Sequence, residues 1–365
     1  MASSTTTALG SRERVERMFE RRDHDRVPRH DTFWSETIDR WQSEGLDGDG
    51  QTVMERLGYD FYCVGGAWPA PFAGKHVTVE ETDDTHVYID DWGATVRYWK
   101  AKSGTPQHVA FGCRNKDCWE NAYRPTYEEY AWKIDAEATR NGYAEGRKLG
   151  KWCFLTALES FESTRRLMGD EITWIALAED PEWVVDVSRV YTDTVIQGLD
   201  AIMKTGIEPD GLWIYGDMAF NHAPVCSPTM YRETLWHDHH RLAEWGHAHG
   251  MKVIFHTDGN VNPMIEHYID AGFDCLQPLE AKATMDVRNL CPEYGDRMAC
   301  FGNIDVMLMG RNDPDELEEE IRSKLEAGKA ARNYAYHSDH SVPPTVSWET
   351  YQHLIALLDR YGAYD

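Results

Sequence analysis

Five short apolar runs in this 365-residue sequence each end in polar residues able to exchange protons or hold a polar ligand. Residues 211–214 lead to Tyr215 and Asp217, residues 252–255 to His256 and Asp258, and residues 273–279 to Glu280. Residues 297–301 lead to Asn303 and Asp305, and residues 334–336 to His337, Asp339 and His340. Carboxylates and imidazoles are the usual general acids and bases. Glu280, Asp217 and His337 are therefore the candidates for catalysis. Each also has a structural reading: Glu280 as the ion-pair partner of Lys282, Asp217 as a group that orients a neighbouring histidine, and His337 as a turn residue. Tyr215, Asn303, Asp339 and Glu159 stand at run ends where substrate contact is expected, although a glutamate at position 159 would equally cap the helix that follows. Trp34, Trp68 and Trp92 fall in loop-like stretches and could stack on a planar or sugar-like ligand, against a background in which core packing explains most tryptophans.

The elements that position these residues follow from the same text. Strands covered on both faces by helices read as continuous hydrophobic runs. Candidates occur at 27–31, 61–65, 152–158, 211–217, 252–258, 273–280, 297–305 and 333–340. Helical patterns separate most of them, among them 182–203, 228–250, 262–272 and 313–328. Eight strands alternating with helices predict an α/β fold of the (β/α)8 TIM-barrel type, in which the strand C-termini carry the active site. Between His76 and Lys100 the pattern changes to period-two alternation with turn residues between the runs, which predicts an inserted antiparallel β ribbon near the N-terminal third, serving as a lid or a dimer arm. Residues 1–10 are expected to be disordered and residues 11–365 to form a single domain.

Bulk composition excludes several classes. Lys plus Arg total 37 against 62 Asp plus Glu, a net charge of −25, so nucleic acid and anionic membranes should be repelled. No apolar run is long enough to span a bilayer, and the N-terminus lacks the pattern of a secretion signal. A cytoplasmic protein is expected. The eight cysteines are scattered, several within strand-like runs, as reduced core thiols would be. Cys113 and Cys118 lack a second pair at zinc-knuckle spacing, and neither a phosphate-binding P-loop nor a strand-linked dinucleotide fingerprint is present. His237, His239 and His240 fall in a helical stretch away from the strand ends and are expected at the surface or an interface.

Three blocks in combination carry a family resemblance. They are Gly250-Met251-Lys252-Val253-Ile254-Phe255-His256-Thr257-Asp258-Gly259-Asn260, then Ala271-Gly272-Phe273-Asp274, then Gly302-Asn303-Ile304-Asp305. Ser341-Val342-Pro343-Pro344 and Ser347-Trp348-Glu349-Thr350-Tyr351 add to it. Over residues 27–361 the sequence resembles the uroporphyrinogen decarboxylase superfamily. That resemblance implies a (β/α)8 barrel, and one of two chemistries: porphyrinogen decarboxylation without a cofactor, or zinc-dependent methyl transfer involving a corrinoid protein or a thiol. The decarboxylases carry paired arginines near the N-terminus, where this chain has Arg29-His30-Asp31-Thr32-Phe33-Trp34-Ser35, and an aspartate where it has Gly66 or Ala67. Both features are missing, which points to the methyltransferase branch.

Methyltransferases of that branch hold zinc with a His-x-Cys pair and a late cysteine. These map onto His256, Asp258 and His340, with Glu280 as a fourth ligand or proton donor. Replacing thiolates with harder nitrogen and oxygen donors keeps a divalent metal, zinc foremost, and widens the choice of metals. The resemblance thus implies a metal-dependent enzyme moving a methyl group between a small methylated substrate and a corrinoid protein or other acceptor. The corrinoid carriers' own D-x-H-x-x-G signature is absent, so a corrinoid would arrive on a partner protein. A homodimer is expected from the family and the β insertion. The alternatives are a cofactor-free decarboxylase or lyase acting on a small carboxylic acid through Asp217, His256 and Glu280, and a non-catalytic ligand-binding barrel.

Overall fold

Residues Trp152–Leu158 are buried at every position except Thr156, as expected of a strand with helices on both faces. Such runs build the central sheet in the computed structural model, which describes residues 8–101 and 105–364. The chain enters it as β1 (Phe61–Ala67), leaves it for β2 (Val77–Glu81), β3 (Thr85–Ile89), β4 (Thr95–Trp99) and β5 (Gln107–Ala110), and then returns. The remaining staves are β6 (Trp152–Leu158), β7 (Gly211–Tyr215), β8 (Lys252–Thr257), β9 (Cys275–Pro278), β10 (Ala299–Phe301) and β11 (Tyr334–Ala335). Strands β1 and β6 to β11 pair in that order, all parallel, and β2 to β5 form a separate antiparallel sheet. This is the expected TIM barrel with its inserted β sheet. The insertion runs on to Ala110, past the expected end at Lys100, because β5 is an edge strand whose residues are mostly exposed and show no alternation to read.

The eighth stave is not a strand. Within residues 27–31 only Arg29 forms a bridge, to Tyr336. His30 N–H donates to the Tyr336 carbonyl at 3.0 Å, and the Asp60 N–H donates to the Arg29 carbonyl at 2.9 Å, so the segment still closes the barrel between β11 and β1. Pro28 has no N–H to offer a ladder. The runs expected at 273–280, 297–305 and 333–340 also shorten to β9, β10 and β11. Positive φ values at Leu279 (62°) and Asn303 (79°) turn the first two off their ladders just below the mouth. At the N-terminus a helix runs over Ser11–Phe19, with Gly10 in the cap position. Residues 1–7, most of the stretch expected to be disordered, lie outside the described residues.

Buried ionic contacts hold the seam. Asp60 is fully buried. It accepts from Arg14 Nη1 at 2.7 Å, Arg26 Nη1 at 2.8 Å and the Arg29 amide at 2.8 Å. At the opposite end of the barrel, Asp339 fastens two strand-end loops, accepting from the Ala281 and Val306 amides at 2.9 Å each. Burial pushes its carboxyl up to about 6, against the pull of those two bonds. No helix among the described residues is long and apolar enough to cross a membrane.

Two outcomes follow. Asp60→Ala would leave the largely buried Arg26 without its carboxylate and Arg14 with Asp25 alone, and should cost about 3–5 kcal/mol in urea unfolding; a loss below about 1 kcal/mol, the scale of an exposed pair, would show that the seam does not depend on it. For Asp339, the folded carboxyl keeps its proton to higher pH than the unfolded one, so its contribution favours the fold at acid pH and is lost as pH rises from roughly 4 to about 6. Asp339→Asn should remove that component, and stability curves for wild type and variant that stay parallel across this window would contradict the assignment.

Candidate functional site

Alternation along the strands decides which side chains reach the mouth. Trp213, Ile254, Cys275 and Ala335 lie in the barrel's inner core. Residues two apart share a face, so Tyr215, His256, Gln277 and His337 continue the same inward rows. Register sets Tyr215 beside His256 and His256 beside Gln277. The ring centroids of Tyr215 and His256 are 4.9 Å apart. His256 Nδ1 donates to Gln277 Oε1, which leaves Nε2 with a free lone pair. Gln277 is the residue the sequence reading missed. Its signal was a lone amide inside an otherwise apolar buried run.

Just above this row Asp217, His256 and Asp258 each offer a ligand atom, all within 4.8 Å of one another. His256 Nε2 lies 3.8 Å from Asp217 Oδ1, and the Asp258 amide donates to the same oxygen at 3.2 Å. Asp258 Oδ1 is buried without a hydrogen-bond partner. Burial raises the Asp258 carboxyl above its ordinary range; the nearby His256 opposes this, and Asp217 and Glu280 add to it. A buried, unsatisfied carboxylate oxygen facing an imidazole and a second carboxylate fits a divalent cation. The donors are nitrogen and oxygen with no thiolate in the group, a set that zinc, manganese, iron, cobalt or nickel can accept. Gly259 makes the approach of the two loops feasible. With φ at +86°, a Cβ there would sit 2.6 Å from the Ala219 backbone.

The other expected site residues divide into two sets. Trp34, Tyr215, His256, Asp258, His337 and His340 line a cavity of about 280 Å³ at the mouth. His340 stands on its rim, with Nε2 4.0 Å from Asp258 Oδ2 and its ring stacked on Trp34 at 6.0 Å. His337 is buried, its Nδ1 donating to the Ser338 carbonyl and its Nε2 without a partner. Trp68 is 41% exposed, 5.6 Å from the Tyr215 ring, and donates to Thr156 Oγ1 at 2.9 Å. Asp217 and Asp258 also border an adjoining cavity of about 510 Å³, with Arg165, His222 and Glu280.

The second set is turned to backbone or to neighbours. Glu280 accepts from the Gly259 amide at 2.8 Å and pairs with Lys282 Nζ at 2.6 Å. Asn303 bonds the Leu279 and Met285 carbonyls and the Val287 amide, and Asp339 holds the loops already described. Glu159 is fully buried, capping the helix Ser160–Glu179 through the Phe161 and Glu162 amides. It also meets His239 Nε2 at 3.0 Å. His239 is therefore a buried strut between Glu159 and Tyr231, a correction to the surface position expected for it; the inward face of its helix sets this, and the helix's polar spelling hid it. Trp92 is likewise a core residue, 8% exposed.

Comparisons with known proteins agree with this architecture. The chain aligns over 97% of its length, and over 99% of the other's, with the structure of a methyltransferase from Methanosarcina mazei, at 14% identity and a TM-score of 0.65. A chitinase from Chromobacterium violaceum aligns over 92% of this chain and 98% of its own at 8% identity, with a TM-score of 0.40, too distant to bear on function. No curated protein matches the sequence. The family model for uroporphyrinogen decarboxylase (URO-D) matches residues 166–361, more than half of the chain, and so takes in the strands that carry Asp217, His256, Asp258 and His340. The chain belongs to the uroporphyrinogen decarboxylase family.

Proposed function

We propose that this protein is a metal-dependent, methyltransferase-like enzyme that moves a methyl group between a small methylated substrate and a corrinoid protein or other acceptor. The observation that carries this reading is the convergence of Asp217, His256 and Asp258 around the unpartnered Asp258 oxygen. Likeness to a methyltransferase along nearly the whole chain supports it. Against porphyrinogen decarboxylation, Arg29 is spent on Asp359 and the Gly58 carbonyl. Nor is there room for a carboxylate at Gly66, where even a Cβ would meet Thr156 Oγ1 at 2.1 Å.

In this reading Asp217, His256 and Asp258 hold a divalent metal, zinc foremost, with His340 on the rim and Glu280 beside them in the adjoining cavity. When bound, such a metal would supply Lewis acidity toward the heteroatom that loses or gains the methyl group. Gln277 fixes the His256 ring through Nδ1 so that Nε2 faces the site. Lys282 and the Gly259 amide hold Glu280 in its niche. Trp34, Tyr215 and Trp68 supply aromatic walls that exclude water from the reacting end. The corrinoid would be brought by a carrier protein to the open mouth, in the cytoplasm, with the enzyme as a homodimer.

A second reading has its own observation. The raised Asp258 carboxyl suits a proton donor, as a cofactor-free decarboxylase or lyase would need. Incubation with methylated alcohols, amines and ethers and free cob(I)alamin separates the two. Methylcobalamin formation that a chelator abolishes is expected, with Gln277→Ala lowering metal affinity roughly 10- to 100-fold. Chelator-resistant release of carbon dioxide from a small acid, with no methylcobalamin formed, would overturn methyl transfer in favour of the second reading.

A further inference from the structure

The interior of a TIM barrel is ordinarily filled by side chains. Here the incomplete eighth stave leaves a breach. After its one bridge at Arg29 the N-terminal segment pairs next at Phe33 with Val342, drawing away from β1. A cavity of about 470 Å³ enters there. Its rim carries the exposed residues Thr32, Glu55 and Cys63, and its floor the buried Tyr59, Phe61 and Phe154. Thr32 and Tyr215 line both this cavity and the one beside His256, so the two share a wall.

Buried polar atoms without partners flank that wall. His30 lines the larger cavity, is 7% exposed, and has no partner for Nδ1. His337 lines the smaller one, is 2% exposed, and has none for Nε2. The two rings are 5.8 Å apart, and both pack on Trp213, at 5.8 Å and 6.4 Å. Native proteins seldom leave such nitrogens unsatisfied unless a ligand or water completes them. Burial holds the His30 ring well below its ordinary pKa, so it meets a ligand as a neutral imidazole. The charges nearby are already engaged. Asp31 accepts from Tyr336, Tyr351 and Ser338, and Lys151 Nζ donates to the Tyr59 carbonyl. The lining residues include no arginine.

We propose that the two cavities form one compartment for an uncharged ligand with a flat, apolar body, whose polar group is held by His30 and whose far end reaches past Tyr215 to His256. That the far end is where a methyl group moves rests on the function proposed above; the compartment itself does not. Its volume is in the range of small-molecule sites. An anionic body would meet the carboxylates of Asp31 and Glu55 in the lining, with Lys151, turned to the Tyr59 carbonyl, as the opposing cation, a balance that disfavours it.

The test uses 4-fluorophenol and 4-fluorobenzoate with the full-length protein, followed by fluorine NMR, with metal content measured on the same samples. Saturable binding of the phenol is expected, with the benzoate at least about tenfold weaker. His30→Phe removes the hydrogen bond, and Cys63→Trp plugs the rim without touching the core. Each should weaken phenol binding about tenfold, the scale of one buried hydrogen bond, with metal content unchanged. No phenol binding by wild type, equal affinity for the two probes, or unaltered affinity in the folded Cys63→Trp variant would overturn the compartment. Phenol binding with these losses in protein that takes up no metal would uphold the compartment while removing the metal reading.

Discussion

Everything at the mouth of this barrel depends on a carboxylate buried at its other end. Asp60 gathers Arg14, Arg26 and the Arg29 amide at the start of β1, and so binds the N-terminal segment into the place an eighth strand would fill. A sheet of seven parallel strands has two free edges, and unpaired edges are costly. The Asp60 cluster, with the bridge from Arg29 to Tyr336, joins those edges through a stretch that contains Pro28 and cannot ladder. Closure in turn makes the strand ends point at one another, and that convergence brings Asp217, from the end of β7, against His256 and Asp258, from the end of β8.

Convergence has an electrostatic consequence. Asp217, Asp258 and Glu280 crowd together in a chain already at −25, and burial raises Asp258 further. Lys282 neutralises Glu280, and His340 stands 4.0 Å from Asp258. The remaining excess of negative charge lies where His256 directs a free nitrogen, a local field suited to a divalent cation. The same field argues against an anionic substrate body, and the lining behind Tyr215, with Asp31 and Glu55 against Lys151, is consistent with that preference.

Much of the barrel was legible because buried parallel strands announce themselves as apolar runs with polar ends. Residues 152–158 were read with the bounds the structure has, and the positions of the barrel strands from 61 onward were all recognised. Residues 27–31 were not legible as a non-strand, since apolar spelling does not reveal that a segment contributes one bridge. Nor did the runs ending at Glu280 and Asp305 show where backbone leaves the ladder, because the positive φ at Leu279 and Asn303 belongs to tertiary packing. At the site, the two-residue spacing of His256 and Asp258 was legible as shared direction. That Asp217 joins them more closely than His340 or Glu280 does is a matter of side-chain orientation across neighbouring loops, which spacing cannot encode. Gln277 went unread for a similar reason: its role exists only through its register with His256.

The most direct test of the account is the metal content of protein purified without added metal, by elemental analysis, for the wild type beside folded His256→Ala, Asp217→Ala and His340→Ala. The account predicts about one divalent metal per chain in the wild type, lost in His256→Ala and Asp217→Ala and largely kept in His340→Ala. A wild type that takes up no metal even after reconstitution, or full occupancy in the His256 and Asp217 variants, would contradict it.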